Sequence, residues 1–229
     1  MQIDFILYRP GVPGNVGAAA RAIKTMGFNS LRLISPCDYT DKEALMLAHG
    51  SHDILKNARV YNSFDECVSD LDFLVATTAK NRSLKTDYYT VPEVKKIIDS
   101  KKSSLSRLGI VFGTEESGLP NEIIQQCDLA STIPLRQQYP SLNLAQAVMI
   151  FAYEFSIFDP SITLKEKTND SSYIKLKERL TSLLSFLEIS PEMPVYHRIL
   201  ERFSLLAAED INLLHTISSR LEQKIKSGN

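Results

Sequence analysis

Four short segments of this 229-residue chain put polar or flexible residues where chemistry could be done. The first begins at Arg9, where a loop of two prolines and two glycines runs into Asn15-Val16-Gly17-Ala18-Ala19-Ala20-Arg21. On a helix, Gly17 and Ala18 are the i−4 and i−3 neighbours of Arg21, which leaves a guanidinium room to reach a phosphate or other polar ligand. The same spacing also suits a solvated arginine on a small-residue helix packed close to a sheet. Asn15 falls where an N-cap is wanted and Gly27 at a C′ position. The second segment, Leu108 to Leu119, reads LGIVFGTEESGL. Gly113 and Gly118 would let backbone approach a ligand. Glu115 between them is poor company for a pyrophosphate and better suited to a cation or a helix N-terminus. A plain strand-to-helix turn accounts for the pattern equally well.

In the third segment, Ile133-Pro134 leads to Ser141-Leu142-Asn143 at a helix start, where Ser141 or Asn143 could cap while backbone groups stay free for a ligand. A capped buried helix is the simpler alternative. The fourth runs from Thr77-Thr78-Ala79 into Lys80, Arg82 and Lys85, cations that suit phosphates or merely a solvated loop. His49 and His52 lie three apart with no third ligand in evidence, so no metal is expected. Cys37, Cys67 and Cys127 are isolated and odd in number, which fits buried thiols in a reducing compartment better than disulfides or zinc. No Ser-His-Asp or Cys-His pairing is apparent.

Elements must hold these segments in place. Short apolar runs at 3–8, 31–35, 58–61, 73–77, 109–112 and 131–135 alternate with helical patterns at 16–26, 91–100, 121–127 and 143–158. Such alternation argues for an α/β fold, a parallel sheet with helices on both faces. Ligands then bind outside the carboxyl ends of the strands, where all four segments begin. A polar linker at 159–172 separates this domain, residues 1–158, from a helical C-terminal extension at 173–229 with no convincing strand.

Lys and Arg total 26 against 27 Asp and Glu, so bulk charge does not advertise a nucleic-acid partner, although a local patch is compatible with that balance. No apolar run reaches membrane-spanning length, and the N-terminus lacks a basic n-region. A soluble, cytoplasmic protein without membrane association is expected.

Taken together, N-x-G-x-x-A-R (Asn15, Gly17, Ala20, Arg21), G-x-E-x-x-G-L (Gly113, Glu115, Gly118, Leu119) and I-P…S-L-N-L (Ile133, Pro134, Ser141, Leu142, Asn143, Leu144) resemble, in order and separation, the three motifs of the SpoU/TrmH (SPOUT) RNA 2′-O-ribose methyltransferases. The likeness covers about residues 3–158 and is nearest the TrmJ/LasT branch, which also has a short helical C-terminal extension. It implies a parallel α/β domain with a C-terminal trefoil knot around residues 109–150, and a homodimer with catalytic residues near the interface. It implies S-adenosyl-L-methionine as cofactor, held by Thr77, Thr78, Ala79, Gly113, Leu119, Ile133, Ser141, Leu142 and Asn143. Arg21 is the matched catalytic residue, supported by Asn15 and Glu115, while Lys80, Arg82 and Lys85 would meet RNA. The substrate implied is RNA and not DNA, tRNA before rRNA, with an anticodon-loop pyrimidine the TrmJ-like target. Lys80-Asn81 stands where the family has Arg-Ser, so the choice of RNA is left open.

Three other readings compete: a non-catalytic RNA-binding factor on the same fold, a base methyltransferase, and an oxidoreductase. The absent G-x-G-x-x-G disfavours the last. The extension is expected to be separable, so that removing residues 160–229 would leave cofactor binding intact and weaken RNA methylation.

Overall fold

The computed structural model describes residues 1–79, 85, 87–137, 141–157 and 172–226. Seven strands form one parallel sheet: β1 (Gln2–Tyr8), β2 (Leu31–Ile34), β3 (Arg59–Tyr61), β4 (Phe73–Thr77), β5 (Tyr89–Thr90), β6 (Arg107–Gly113) and β7 (Leu129–Thr132). Their order across the sheet is β3-β2-β1-β6-β4-β7-β5. β1 and β6 pair along their full length, from Gln2 opposite Arg107 to Tyr8 opposite Gly113. From Phe5 and Leu108 onward both are apolar on both faces because helices cover both.

One face carries α1 (Pro13–Thr25), α5 (Val91–Asp99) and α7 (Leu144–Ser156), packed on Phe5, Leu7, Phe73, Val75, Ile110 and Phe112. The other carries α4 (Phe64–Val68) and α6 (Asn121–Gln126), packed on Ile6, Tyr8, Leu74 and Val111. α1 lies close to α2 (Lys42–Leu47): a Cβ on Gly17 would stand 2.1 Å from the Ala44 carbonyl oxygen. Gly17 therefore serves helix–helix approach rather than room for Arg21. Gly50, at φ +76°, separates α2 from the short α3 (His52–Lys56), and His52 meets the Leu45 carbonyl through Nε2 at 2.9 Å. Asn15 is not a cap. Val12 holds the N-cap position of α1 with Pro13 at the first helical residue, and Asn15 sits inside the first turn.

A polar cluster closes the amino end of the sheet. Arg32, fully buried on β2, donates to Asp4 on β1 at 3.0 Å and to Asp70 at 2.6 Å, and Arg59 donates to Asp4 at 2.7 Å. This satisfies a charge that would otherwise be prohibitive to bury.

α8 (Ser172–Phe186), α9 (Pro194–Phe203) and α10 (Ala208–Lys226) form the extension. It does not stand apart. Tyr173, Leu176, Phe203 and Ile211 belong to the same continuous core as Phe73, Ile98 and Leu129. Asp128 links the two parts: one carboxylate oxygen accepts from the Leu74 N–H, and the other from the Tyr173 hydroxyl and the Lys177 ammonium. Arg198 on α9 reaches Asp87 at 3.2 Å. The linker expected at 159–172 falls almost wholly outside the described residues.

Candidate active site

A cleft of about 490 Å³ opens at the carboxyl edge of β4, β6 and β7. Thr77, Thr78 and Ala79 line it from the end of β4, Phe112 to Gly118 from the end of β6, and Ser131, Ile133 and Leu135 from the end of β7. Ser141 and Leu142 close it, with Leu144, Ala147 and Phe151 of α7 as the floor. Its size suits a nucleoside-sized molecule. The walls combine apolar side chains with strand-end backbone, a suitable lining for a flat heterocycle edged by polar groups.

A hydrogen-bonded clamp draws the separate loops together. The Glu115 carboxylate accepts from the Gly11 N–H at 3.1 Å, the Val12 N–H at 3.3 Å and Asn15 Nδ2 at 3.1 Å. These are donors at the opening of α1, so the acid does sit at a helix N-terminus. Asn143 Nδ2 in turn donates to Asn15 Oδ1 at 2.7 Å. Asn143 also caps α7: its Oδ1 accepts from the Ala145 N–H at 2.8 Å, and its own N–H donates to Gln146 Oε1 at 3.0 Å. Burial pushes the Glu115 carboxyl up, but the Gly11, Asn15 and Val12 donors outweigh it and hold it below the usual range.

Asn15, Glu115 and Asn143 therefore spend their side chains on one another and on backbone. Glu115 lines the cleft, whereas Asn15 and Asn143 do not. Leu119 does not line it either. It is buried beneath Gly113, where its Cδ2 would lie 2.4 Å from a Cβ on that glycine. Leu119 fills the space that Gly113 leaves on the far face of the sheet, and is removed from the expected adenine slot. Lys85 turns inward: its ammonium donates to the Cys127 carbonyl at 2.8 Å and burial lowers its pKa, which takes it out of the expected RNA-binding set. Lys80 and Arg82 lie outside the described residues. Arg21 is exposed on α1, six residues past Asn15 and outside the cleft lining, with no hydrogen-bond or ion-pair partner among the described residues.

Sequence reasoning missed Thr114, Glu116 and Ser117, which simply continue the loop after Gly113. It also missed Ala147 and Phe151, whose i+3 and i+7 spacing from the motif residue Leu144 on α7 is a readable signal for one shared face. Among the described residues, no group of three or more His, Cys, Asp and Glu side chains is placed to hold a metal ion, and no helix is long and apolar enough to cross a membrane.

The family model described as the SpoU rRNA Methylase family matches residues 2–153, which include every strand and the whole clamp. The chain belongs to the SpoU rRNA methylase family. A second model, the C-terminal domain of the tRNA/rRNA methyltransferase LasT, matches residues 171–225 and so accounts for the extension. An Escherichia coli (strain K12) protein called uncharacterized tRNA/rRNA methyltransferase LasT is 37% identical over 98% of this chain and 99% of its own length. A tRNA (cytidine-2′-O-)-methyltransferase, TrmJ of Methanocaldococcus jannaschii, is 41% identical over 67% of each chain. The crystal structure of TrmJ from Z. mobilis ZM4 superposes with a TM-score of 0.67 at 28% identity, over 97% of this chain and all of that one. The SpoU domain and the LasT-type extension thus coincide with the sheet domain and with α8 to α10.

Proposed function

We propose that this SpoU-family protein is an S-adenosyl-L-methionine-dependent 2′-O-ribose methyltransferase acting on tRNA in the cytoplasm. The observation that carries the reading is the convergence of three separate sequence motifs on one cleft, clamped by Asn15, Glu115 and Asn143. Two relatives named for tRNA or tRNA/rRNA methylation support the RNA half, and the TrmJ relative favours tRNA and a ribose target.

The cleft fits the cofactor. Ile133, Leu142 and Leu144 offer an apolar slot for adenine, and Thr77, Thr78, Gly113 and Ser141 surround it with polar backbone. The cofactor supplies an already activated sulfonium methyl. What falls to the protein is in-line alignment of the ribose hydroxyl and stabilisation of the negative charge that develops on its oxygen as its proton passes to water. A guanidinium is always charged in proteins and makes a poor base. Arg21 is exposed and uncommitted, so it grips the phosphate beside the target ribose and stabilises the developing negative charge. Glu115, Asn15 and Asn143 hold the start of α1, and with it Arg21, in fixed relation to the cleft.

The active form we propose is a homodimer with a trefoil-threaded carboxyl segment at residues 109–150. α7 is apolar on nearly every side, yet Tyr153 is 57% exposed and Ile157, just past its end, is 44% exposed, a surface that fits a second copy. The chain passes from β6 across β4 to β7 and then returns, as α7, to pack on α1, a route that supports the threading.

The test is methyl transfer from labelled cofactor to tRNA and, separately, to rRNA, followed by digestion to nucleosides and mass spectrometry. A 2′-O-methylnucleoside from tRNA is the expected product. A base-methylated product, or modification of rRNA alone, would replace the corresponding part of the reading. Arg21→Lys and Arg21→Ala should slow single-turnover transfer by at least about a hundredfold, the scale of losing one electrostatic donor to a developing oxyanion. Near-wild-type rates in both would remove Arg21 from the chemistry.

A further inference from the structure

Arg9 is the first residue beyond β1, and its backbone lies in the left-handed region at φ +47°. A non-glycine side chain there costs free energy, and such strain tends to persist where surrounding structure enforces it for a purpose. The enforcement is visible. The Arg9 N–H donates to the Ile34 carbonyl at 2.9 Å, Pro10 is buried and accepts from the Cys37 N–H, and the Glu115 carboxylate holds the next two N–H groups.

The same geometry presents the side chain. Arg9 is exposed, and its guanidinium carbon lies 5.3 Å from the centroid of the Tyr8 ring, itself nearly buried. A guanidinium with one face on an aromatic ring keeps its N–H edge available and has little rotamer freedom left to lose. Among the described residues no carboxylate or other acceptor pairs with it. In strand register Tyr8 stands opposite Gly113, so Arg9 follows one residue past a wall of the cleft, about one strand spacing away.

We propose that Arg9 is a substrate-positioning residue that binds a backbone phosphate of the RNA at the mouth of the cleft. A pre-stacked, uncommitted guanidinium on a rigid strand end suits a phosphate, which accepts two parallel N–H bonds. This inference rests on the RNA methyltransferase reading for its ligand class. It adds a second cationic contact, at the carboxyl end of β1, to that of Arg21 on α1.

Arg9→Asn is the informative variant, because asparagine tolerates left-handed backbone and so removes the cation without adding strain. With bulk tRNA as probe and the full chain, the Kd of Arg9→Asn should rise roughly tenfold. The slope of log affinity against log salt should fall by about 0.7 to 0.9, the signature of one lost phosphate contact. Arg9→Lys should restore the salt slope and part of the affinity. In turnover the KM for tRNA should rise while kcat, cofactor affinity and melting temperature stay unchanged. Wild-type binding and salt slope in Arg9→Asn would overturn the inference, as would a parallel loss of cofactor binding. The two readings fail separately. Wild-type protein that binds tRNA but transfers no methyl defeats the enzyme reading, while the binding isotherms still decide Arg9. Active protein with an unaffected Arg9→Asn variant defeats only the latter.

Discussion

Glu115 shows how one cleft-lining side chain can also tie separate loops together. Its carboxylate accepts from two backbone N–H groups and one amide. Glu115→Gln would turn an NH₂ toward donors that need an acceptor, leaving at least one N–H unsatisfied at a cost of about 1–3 kcal/mol. The expected outcome is a fall of roughly tenfold or more in kcat/KM without loss of the fold, read by steady-state kinetics beside circular dichroism. Because the Glu115 pKa is lowered in the folded protein, its contribution is present above the ordinary glutamate range and fades as pH falls through the folded value. The clamp should therefore loosen in acid, before the sheet unfolds. The role of this residue was half legible: an acid between two glycines is a poor phosphate partner, and a helix N-terminus was the natural alternative. Leu119 and Lys85 were not legible in the same way. Whether a loop residue faces a cleft or the core depends on the crossing of the following element, and no local pattern records that crossing.

The elements show the same division. Strands β1, β2, β4 and β6 announced themselves because strands buried on both faces read as continuous apolar runs. The short helices α2, α3 and α4 and the two-residue β5 did not, since segments so short display a period poorly, although α6, as short as α2, was legible at 121–127. The spacing of Gly17 suggests room for Arg21, whereas the demand on it comes from α2, an element too short to show in the sequence pattern. Gly17→Ala should force α1 away from the Ala44 carbonyl and cost about 1–3 kcal/mol, as overpacking does. Chemical denaturation would measure it, and a melting point equal to wild type would show that the two helices part more easily than their spacing suggests.

At the level of the whole molecule, the extension is part of the core, so the expectation that it could be removed without affecting cofactor binding needs revision. Tyr173 is fully buried against Phe73 with ring centroids 5.3 Å apart, and loss of α8 would open that surface to water. Beneath it lies Lys101, also fully buried, its ammonium 5.9 Å from the Tyr173 ring and without a hydrogen-bond partner among the described residues. Burial lowers its pKa to about 8, against the attraction of Asp128 and Asp210. The charged form is thus disfavoured in the docked state. The penalty is complete below pH 8, shrinks between there and the ordinary lysine value, and vanishes above it. Lys101→Met should stabilise the protein by about 2 kcal/mol at neutral pH and by progressively less in alkali. Melting curves at several pH values would check this, and a destabilised variant at pH 7 would mean that the amine is satisfied in solution.

The clamp joins residues 100 and 128 positions apart, Asn15 to Glu115 and Asn15 to Asn143. Such contacts come at the far end of loop closure, after nearer strand pairs have formed. During synthesis, a chain that has reached β6 can assemble much of the sheet, but it still lacks Asn143 and the floor residues of α7. The cleft is therefore one of the last features of the domain to form, and a ligand that binds it can stabilise only molecules whose carboxyl segment is already in place.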